Sequence, residues 1–240
     1  MKQFDFRQGE VLLIHKPLTW TSFQAVNKLK YAIKNHPSLI DNGKRIQPKI
    51  GHAGTLDPLA TGLLIICTGK QTKNIELYQA QEKEYTGTFY IGATTPCYDL
   101  EKPVDATYPT EHITEEMIRS TVSQFMGKIQ QTPPIYSAIK VDGKRAYDLA
   151  RAGKSAEIKP REISITEFEI TRIEMPLVDF RVVCSKGTYI RSLARDFGEA
   201  LGSGAHLTAL CRTRIGEYKL TDAWEIESFI QAVKLQCGQL

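Results

Sequence analysis

The chain has 240 residues, 42% hydrophobic and 24% charged, the balance of a folded globular protein rather than a disordered one. That length supports a substantial core, as one large domain or two small subdomains. No apolar run approaches a bilayer span, the N-terminus lacks a signal-type apolar segment, and the five scattered cysteines form no C-x-x-C pair. A cytosolic protein is expected, and neither a disulfide framework nor a zinc site is indicated.

The net charge of +4 is unevenly distributed. Residues 1–50 carry nine Lys/Arg against three Asp/Glu, and residues 128–161 carry eight against three. The stretches between and after them are net acidic, with five against ten over 51–127 and nine against eleven over 162–240. Two basic blocks suit either a polyanion-binding face or two solvated faces, and charge alone does not choose.

In chain order, "GEVLLIHKP" predicts a short buried strand closed by Pro17. "TSFQAVNKLKYAIKNHP" predicts a helix behind a Thr21/Ser22 cap, with Phe23, Val26, Leu29 and Ile33 on its apolar face and a stop before Pro37. After a glycine loop, Leu63 to Cys67 predicts an interior strand. "KEYTGTFYIG" has strand composition, and "TEEMIRSTVSQF" reads as a capped helix with acids in its first turn. "EISITEFEITRIE" and "VDFRVVCS" alternate as half-buried strands do and predict a hairpin. "TYIRSLARDFGEALG" returns to helical period, ending on Gly202, and "DAWEIESFIQAVKL" predicts a final helix capped by Asp222. Strands alternating with helices around a hairpin favour α+β with a mixed, mostly antiparallel sheet.

The loop "GHAGTLDPLATG" is the chemical focus. Pro58 restricts Asp57 to extended backbone, and glycines 51, 54 and 62 permit unusual conformations and a close ligand approach. The same residues build ordinary turns, so Asp57 is either a turn-former or a carboxylate presented for chemistry. In "SKGTYIRSLARDFG", Tyr189 and Arg191 fall where a strand gives way to a helix. "QTPPIYSAIKVDGKRAYDLARAGK" is a basic, turn-marked segment.

These stretches, with "KEYTGTFYIG" and "GSGAHLTALCRTRIG", stand in the order found in the TruB family of tRNA pseudouridine synthases, which the chain resembles from about Gly9 to Gly216. The resemblance implies an isomerase that converts uridine to pseudouridine at position 55 in the T loop of tRNA. It implies the pseudouridine-synthase core, a mixed, mostly antiparallel bifurcated sheet flanked by helices. The whole chain, 1–240, would be one catalytic domain with a basic thumb insertion at about 130–155. The reaction is redox-neutral, so no cofactor is expected, and no dinucleotide, phosphate-loop or metal motif is present in the sequence.

By position, the resemblance makes Asp57 the essential carboxylate, Arg191 its cationic partner, and Tyr85 the tyrosine that stacks on the base. Tyr189 lies near them. It makes His52 the residue that takes the place of the flipped nucleotide, with Lys16 close to the site and Leu210 behind the base. Lys140, Lys144, Arg145, Arg151 and Lys154 become thumb contacts to phosphates.

The expected partner is the T-stem-loop of tRNA, with no membrane, and a monomer is expected. His15 and Thr19 depart from the family's usual Asp and Gly, and "GATTPCYDLEKP" departs from its usual pattern at 92–103. The 20 residues after Leu220 predict one helix and no accessory C-terminal domain of the PUA type.

Three alternatives compete. A tRNA-binding protein without chemistry would not need Asp57, Tyr85 and Arg191 together. A guide-RNA-dependent relative would be expected to lack the thumb and carry the accessory domain. A two-carboxylate glycosidase would need a second acid that these motifs do not show.

Overall fold

A computed structural model describes residues 3–137 and 158–238, and the backbone of 140–141 and 144–145. The main strands are β1 (Val11–Lys16), β2 (Ile50–His52), β3 (Ala60–Thr68), β4 (Lys83–Ile91), β5 (Gly127–Gln131), β6 (Arg161–Glu174), β7 (Leu177–Cys184), β8 (Ala205–Ile215) and β9 (Trp224–Glu225). The helices are α1 (Ser22–Ile33), α2 (Ile75–Ala80), α3 (Glu115–Thr121), α4 (Ile190–Ala200) and α5 (Ile226–Gln236). The chain forms two compact units, Met1–Lys83 with Cys211–Leu240, and Glu84–Leu210.

In the first unit β1 pairs antiparallel with β3, from Val11 opposite Cys67 to Lys16 opposite Gly62, and parallel with β9. β2 pairs antiparallel with the end of β3. One parallel pairing among antiparallel ones makes the sheet mixed, as the sequence predicts. Leu64 and Ile66 pack with Leu12, Ile14, Leu29, Ile33, Phe229 and Val233 on one face of β3. Leu63, Ile65 and Cys67 pack with Ala53 and Ile215 on the other. Burial on both faces is why β3 reads as an unbroken apolar run instead of an alternating one.

Helix α1 begins with a complete capping box, Thr21 against Gln24. Its buried stripe is Ser22, Ala25, Val26, Leu29 and Ile33. Phe23 does not belong to it and is 67% exposed. At 100° per residue Phe23 lies a quarter-turn off the face that Val26, Leu29 and Ile33 share. Asp222 is not the cap of α5 either. It closes a 3-10 turn, Trp224–Glu225 then pairs with β1, and Glu225 occupies the N-cap. The helix starts only once the chain has left the sheet.

In the second unit the strand order is β4, β7, β6, β5, with the first half of β8 beside β4. The predicted hairpin is β6–β7, paired from Ile165 opposite Cys184 to Glu174 opposite Leu177, with register shifts between Ile165 and Glu167 and between Ile170 and Arg172. Phe89, Phe168, Phe180 and Phe197 form its aromatic core, Phe89 stacking on Phe180 at 4.1 Å. Helix α3 carries the predicted Thr114 cap and first-turn acids. Within the basic segment, Lys140–Val141 pairs antiparallel with Lys144–Arg145. Arg151 and Lys154 lie outside the described residues.

Candidate active site

Asp57 is half-buried on the loop that joins β2 to β3. The chain leaves β2 at His52 and turns at Gly54, whose φ of +96° is open to glycine and strained for other residues. The main chain on both sides of Asp57 is then held group by group. Leu56 donates its amide to the Ser22 hydroxyl at 2.9 Å, and its carbonyl accepts from the same hydroxyl at 3.2 Å. The Asp57 carbonyl accepts from the Ala60 amide at 3.1 Å, and the Pro58 carbonyl from the Thr19 amide at 2.9 Å.

Two buried cations flank this loop. Lys16, fully buried at the end of β1, donates its ammonium to the carbonyls of Pro17, Trp20 and Pro58. Its pKa is lowered to about 8, chiefly by burial, with the Asp57 charge opposing the shift and the Arg212 charge adding to it. Arg212, 1% exposed on β8, donates Nε to the Leu63 carbonyl at 2.8 Å. Its Nη2 and Nη1 reach the carbonyls of Gly54 at 3.2 Å and Thr55 at 3.5 Å.

His52, at the end of β2, has its pKa lowered by burial, with the Gly54 main chain opposing and the Arg212 charge reinforcing the shift. Its imidazole is therefore neutral at pH 7. Gly62 fulfils the expected close approach, but the neighbour is protein. A Cβ there would lie 2.3 Å from the Arg212 carbonyl oxygen, and φ is +106°. The first unit thus brings together Lys16, His52 and Asp57 of the predicted residues, and adds Arg212 and Ser22.

The second unit places the other predicted residues. Arg191, in the first turn of α4, is 5% exposed and donates to the carbonyls of Cys97 at 3.3 Å and Tyr136 at 3.0 Å. Its Nε lies 3.6 Å from the Asp99 carboxylate, both side chains being 6% exposed. Tyr189 is the N-cap of α4, its amide and carbonyl both bonded to the Gln131 side chain. Tyr85 is 8% exposed on β4, and Leu210 is half-buried on β8. The side chains of Lys140, Lys144 and Arg145 lie outside the described residues.

Residues 43–190 match the family described as "TruB family pseudouridylate synthase (N terminal domain)", and residues 191–237 match "tRNA pseudouridylate synthase B C-terminal domain". A tRNA pseudouridine synthase B of Flavobacterium johnsoniae is 63% identical over 96% of this chain and 98% of its own length. One of Phocaeicola vulgatus is 57% identical over 94% of this chain and 93% of its own. The chain belongs to the TruB family.

Among solved structures, a chain of a Cbf5-Nop10-Gar1 complex superposes with a TM-score of 0.71 at 27% identity, covering 96% of this chain. This chain spans 56% of that one. The pseudouridine-synthase fold expected from the sequence is therefore the fold observed.

Membership in the TruB family makes the departures from its pattern readable. Thr19, where glycine is common, has a φ of +69°, a left-handed backbone that glycine adopts without steric cost. His15 bonds to Glu225 at 2.6 Å across the β1–β9 pairing. The 92–103 stretch folds so that Cys97 and Asp99 meet Arg191, with the Thr95 hydroxyl bonded to the Asp99 carbonyl at 2.7 Å. Arg212, Ser22, Asp99 and Gln131 carry no local sequence signal for these roles. Arg212 is one of two arginines in a strand that also carries His206, Thr208 and Thr213, and nothing in the sequence says what it meets.

Proposed function

We propose that this chain isomerises uridine to pseudouridine in tRNA at position 55 of the T loop, with Asp57 as the carboxylate on which the reaction depends. The bond from uracil N1 to the ribose anomeric carbon breaks, the base turns, and a bond from C5 to that carbon forms. N1 gains a proton and the C5 hydrogen leaves as one, so no electrons are exchanged. The observation that carries this reading is the Asp57 loop, in which a half-buried carboxylate sits on main chain immobilised on both sides, as pre-organised chemistry needs.

The uridine must leave its stack to be reached, at a cost of a few kcal/mol. His52 fills the space it vacates, and a neutral imidazole suits a stack of bases better than a cation does. Tyr85, Tyr189, Arg191 and Leu210 keep the roles that the family resemblance implies, and the basic segment around Lys144 and Arg145 contacts phosphates. The high identity to enzymes called tRNA pseudouridine synthase B supports a stand-alone tRNA enzyme over a guide-RNA-dependent one. The chain is proposed to act as a monomer in the cytoplasm; no helix among the described residues is long and apolar enough to cross a membrane.

The test is release of the C5 hydrogen from a transcript labelled in uracil. The wild type should release it stoichiometrically and Asp57→Asn should not. Near-normal turnover by the variant would remove Asp57 from the chemistry. Binding without turnover by the wild type would favour a tRNA-binding protein.

A further inference from the structure

Arg212 is the largest side chain the described residues bury completely, and the proposed reaction gives it no task. Burying a guanidinium costs several kcal/mol unless its donors are matched. Here main-chain carbonyls match them, two in the Asp57 loop and one in the strand that follows it. Nη2 and Nη1 take Gly54 and Thr55, just before Asp57, and Nε takes Leu63, just after the loop has entered β3.

We infer that Arg212 is a positioning residue for Asp57, its guanidinium spanning the Asp57 loop and fixing the loop's conformation, with Ser22 and Lys16 completing the brace. The inference rests on the reading of Asp57 as the reacting carboxylate. From Gly54 to Pro58 every carbonyl has a donor, namely Arg212 for 54 and 55, Ser22 for 56, the Ala60 amide for 57, and Thr19 with Lys16 for 58. Three of those five carbonyls depend on the two side chains Arg212 and Ser22.

The geometry asks for an arginine specifically. A planar fork can address carbonyls on both sides of the loop at once, whereas a lysine places one compact charge at one of them. The close approach at Gly62 seats the Arg212 main chain directly against β3, which fixes where the fork starts. A carboxylate held this way needs no ordering when the RNA arrives. If the hold is released, misplacement by about 1 Å costs on the order of a hundredfold in rate while RNA contacts elsewhere persist.

The experiment compares wild type, Arg212→Lys and Ser22→Ala in three measurements. These are single-turnover rate on a T-stem-loop RNA, affinity for that RNA by titration, and amide hydrogen exchange of the segment 53–64 in the free protein. Arg212→Lys should bind within about threefold of wild type, react about a hundredfold more slowly, and exchange faster in 53–64 but not in α5. Ser22→Ala, which removes no charge, should change in the same direction to a smaller degree and decides the matter if Arg212→Lys does not fold. Unaltered exchange in 53–64, or rate and affinity falling together, overturns the inference. If the wild type turns over no RNA, the proposed reaction fails, and the exchange data still decide whether Arg212 braces the loop.

Discussion

The Ser22 hydroxyl serves both main-chain groups of Leu56, accepting from its amide at 2.9 Å and donating to its carbonyl at 3.2 Å. Both residues are buried, Ser22 at 2% and Leu56 at 3% exposure. A single hydroxyl therefore ties the first turn of α1 to the residue before Asp57. Ser22→Ala leaves both Leu56 groups without these bonds and should destabilise the protein by about 1–3 kcal/mol, read by urea denaturation.

Thr19 holds a left-handed backbone at φ +69° while donating its amide to Pro58. The conformation costs a non-glycine residue about 1–2 kcal/mol, and glycine loses about 0.5–1 kcal/mol more entropy on folding. Thr19→Gly should therefore leave stability unchanged or raise it by up to about 1.5 kcal/mol, with turnover retained. A clear loss of stability in thermal denaturation would show that the threonine side chain makes a compensating contribution.

Arg191 and Asp99 are buried charges of opposite sign. Arg191→Met strands the Asp99 carboxylate and should destabilise by about 3–5 kcal/mol. Adding Asp99→Asn removes the stranded charge and should recover part of that loss. Denaturation of the two singles and the double variant gives the coupling energy, and a value near zero would mean that the carbonyls of Cys97 and Tyr136 hold the guanidinium unaided.

Lys16 carries a pKa lowered to about 8 from 10.5. Between those values the unfolded chain binds more protons at this residue than the folded one, so folding stability from Lys16 rises with pH across that window. Below about pH 8 the cost of the buried ammonium is fully present. Lys16→Met should flatten this rise in the difference between denaturation free energies measured at pH 7.5 and pH 10. A variant with the same slope as wild type would place the lysine pKa near its ordinary value.

Neutralising Lys144 and Arg145 together should weaken RNA binding and lower its salt dependence. Two lost contacts to duplex phosphates correspond to a slope of log affinity against log salt that is smaller by about 1.8. A titration from low to moderate salt measures it, and an unchanged slope would remove this hairpin from the phosphate contacts.

Much of the architecture follows from short-range pattern. The buried run Leu63–Cys67, the Thr21 and Thr114 caps and the alternation in β6 and β7 are local properties, because periodicity and capping depend on residues a few positions apart. Asp222 escaped that logic, because where α5 starts depends on a pairing with a strand far along the chain; Phe23 did not, since the helical period by itself places it off the buried face.

The site divides in the same way. The motifs carried Asp57, His52, Lys16, Tyr85, Tyr189 and Arg191 as residues of interest before any coordinates. What holds Asp57 in place was decided only by tertiary structure, because Arg212 lies 149 positions from its Leu63 partner and Ser22 lies 34 from Leu56. Hydrogen bonds to main-chain carbonyls leave no sequence signature on the accepting side, since every residue has a carbonyl. The sequence by itself determined which carboxylate to suspect; the folded chain decided which side chains surround its loop and hold it still.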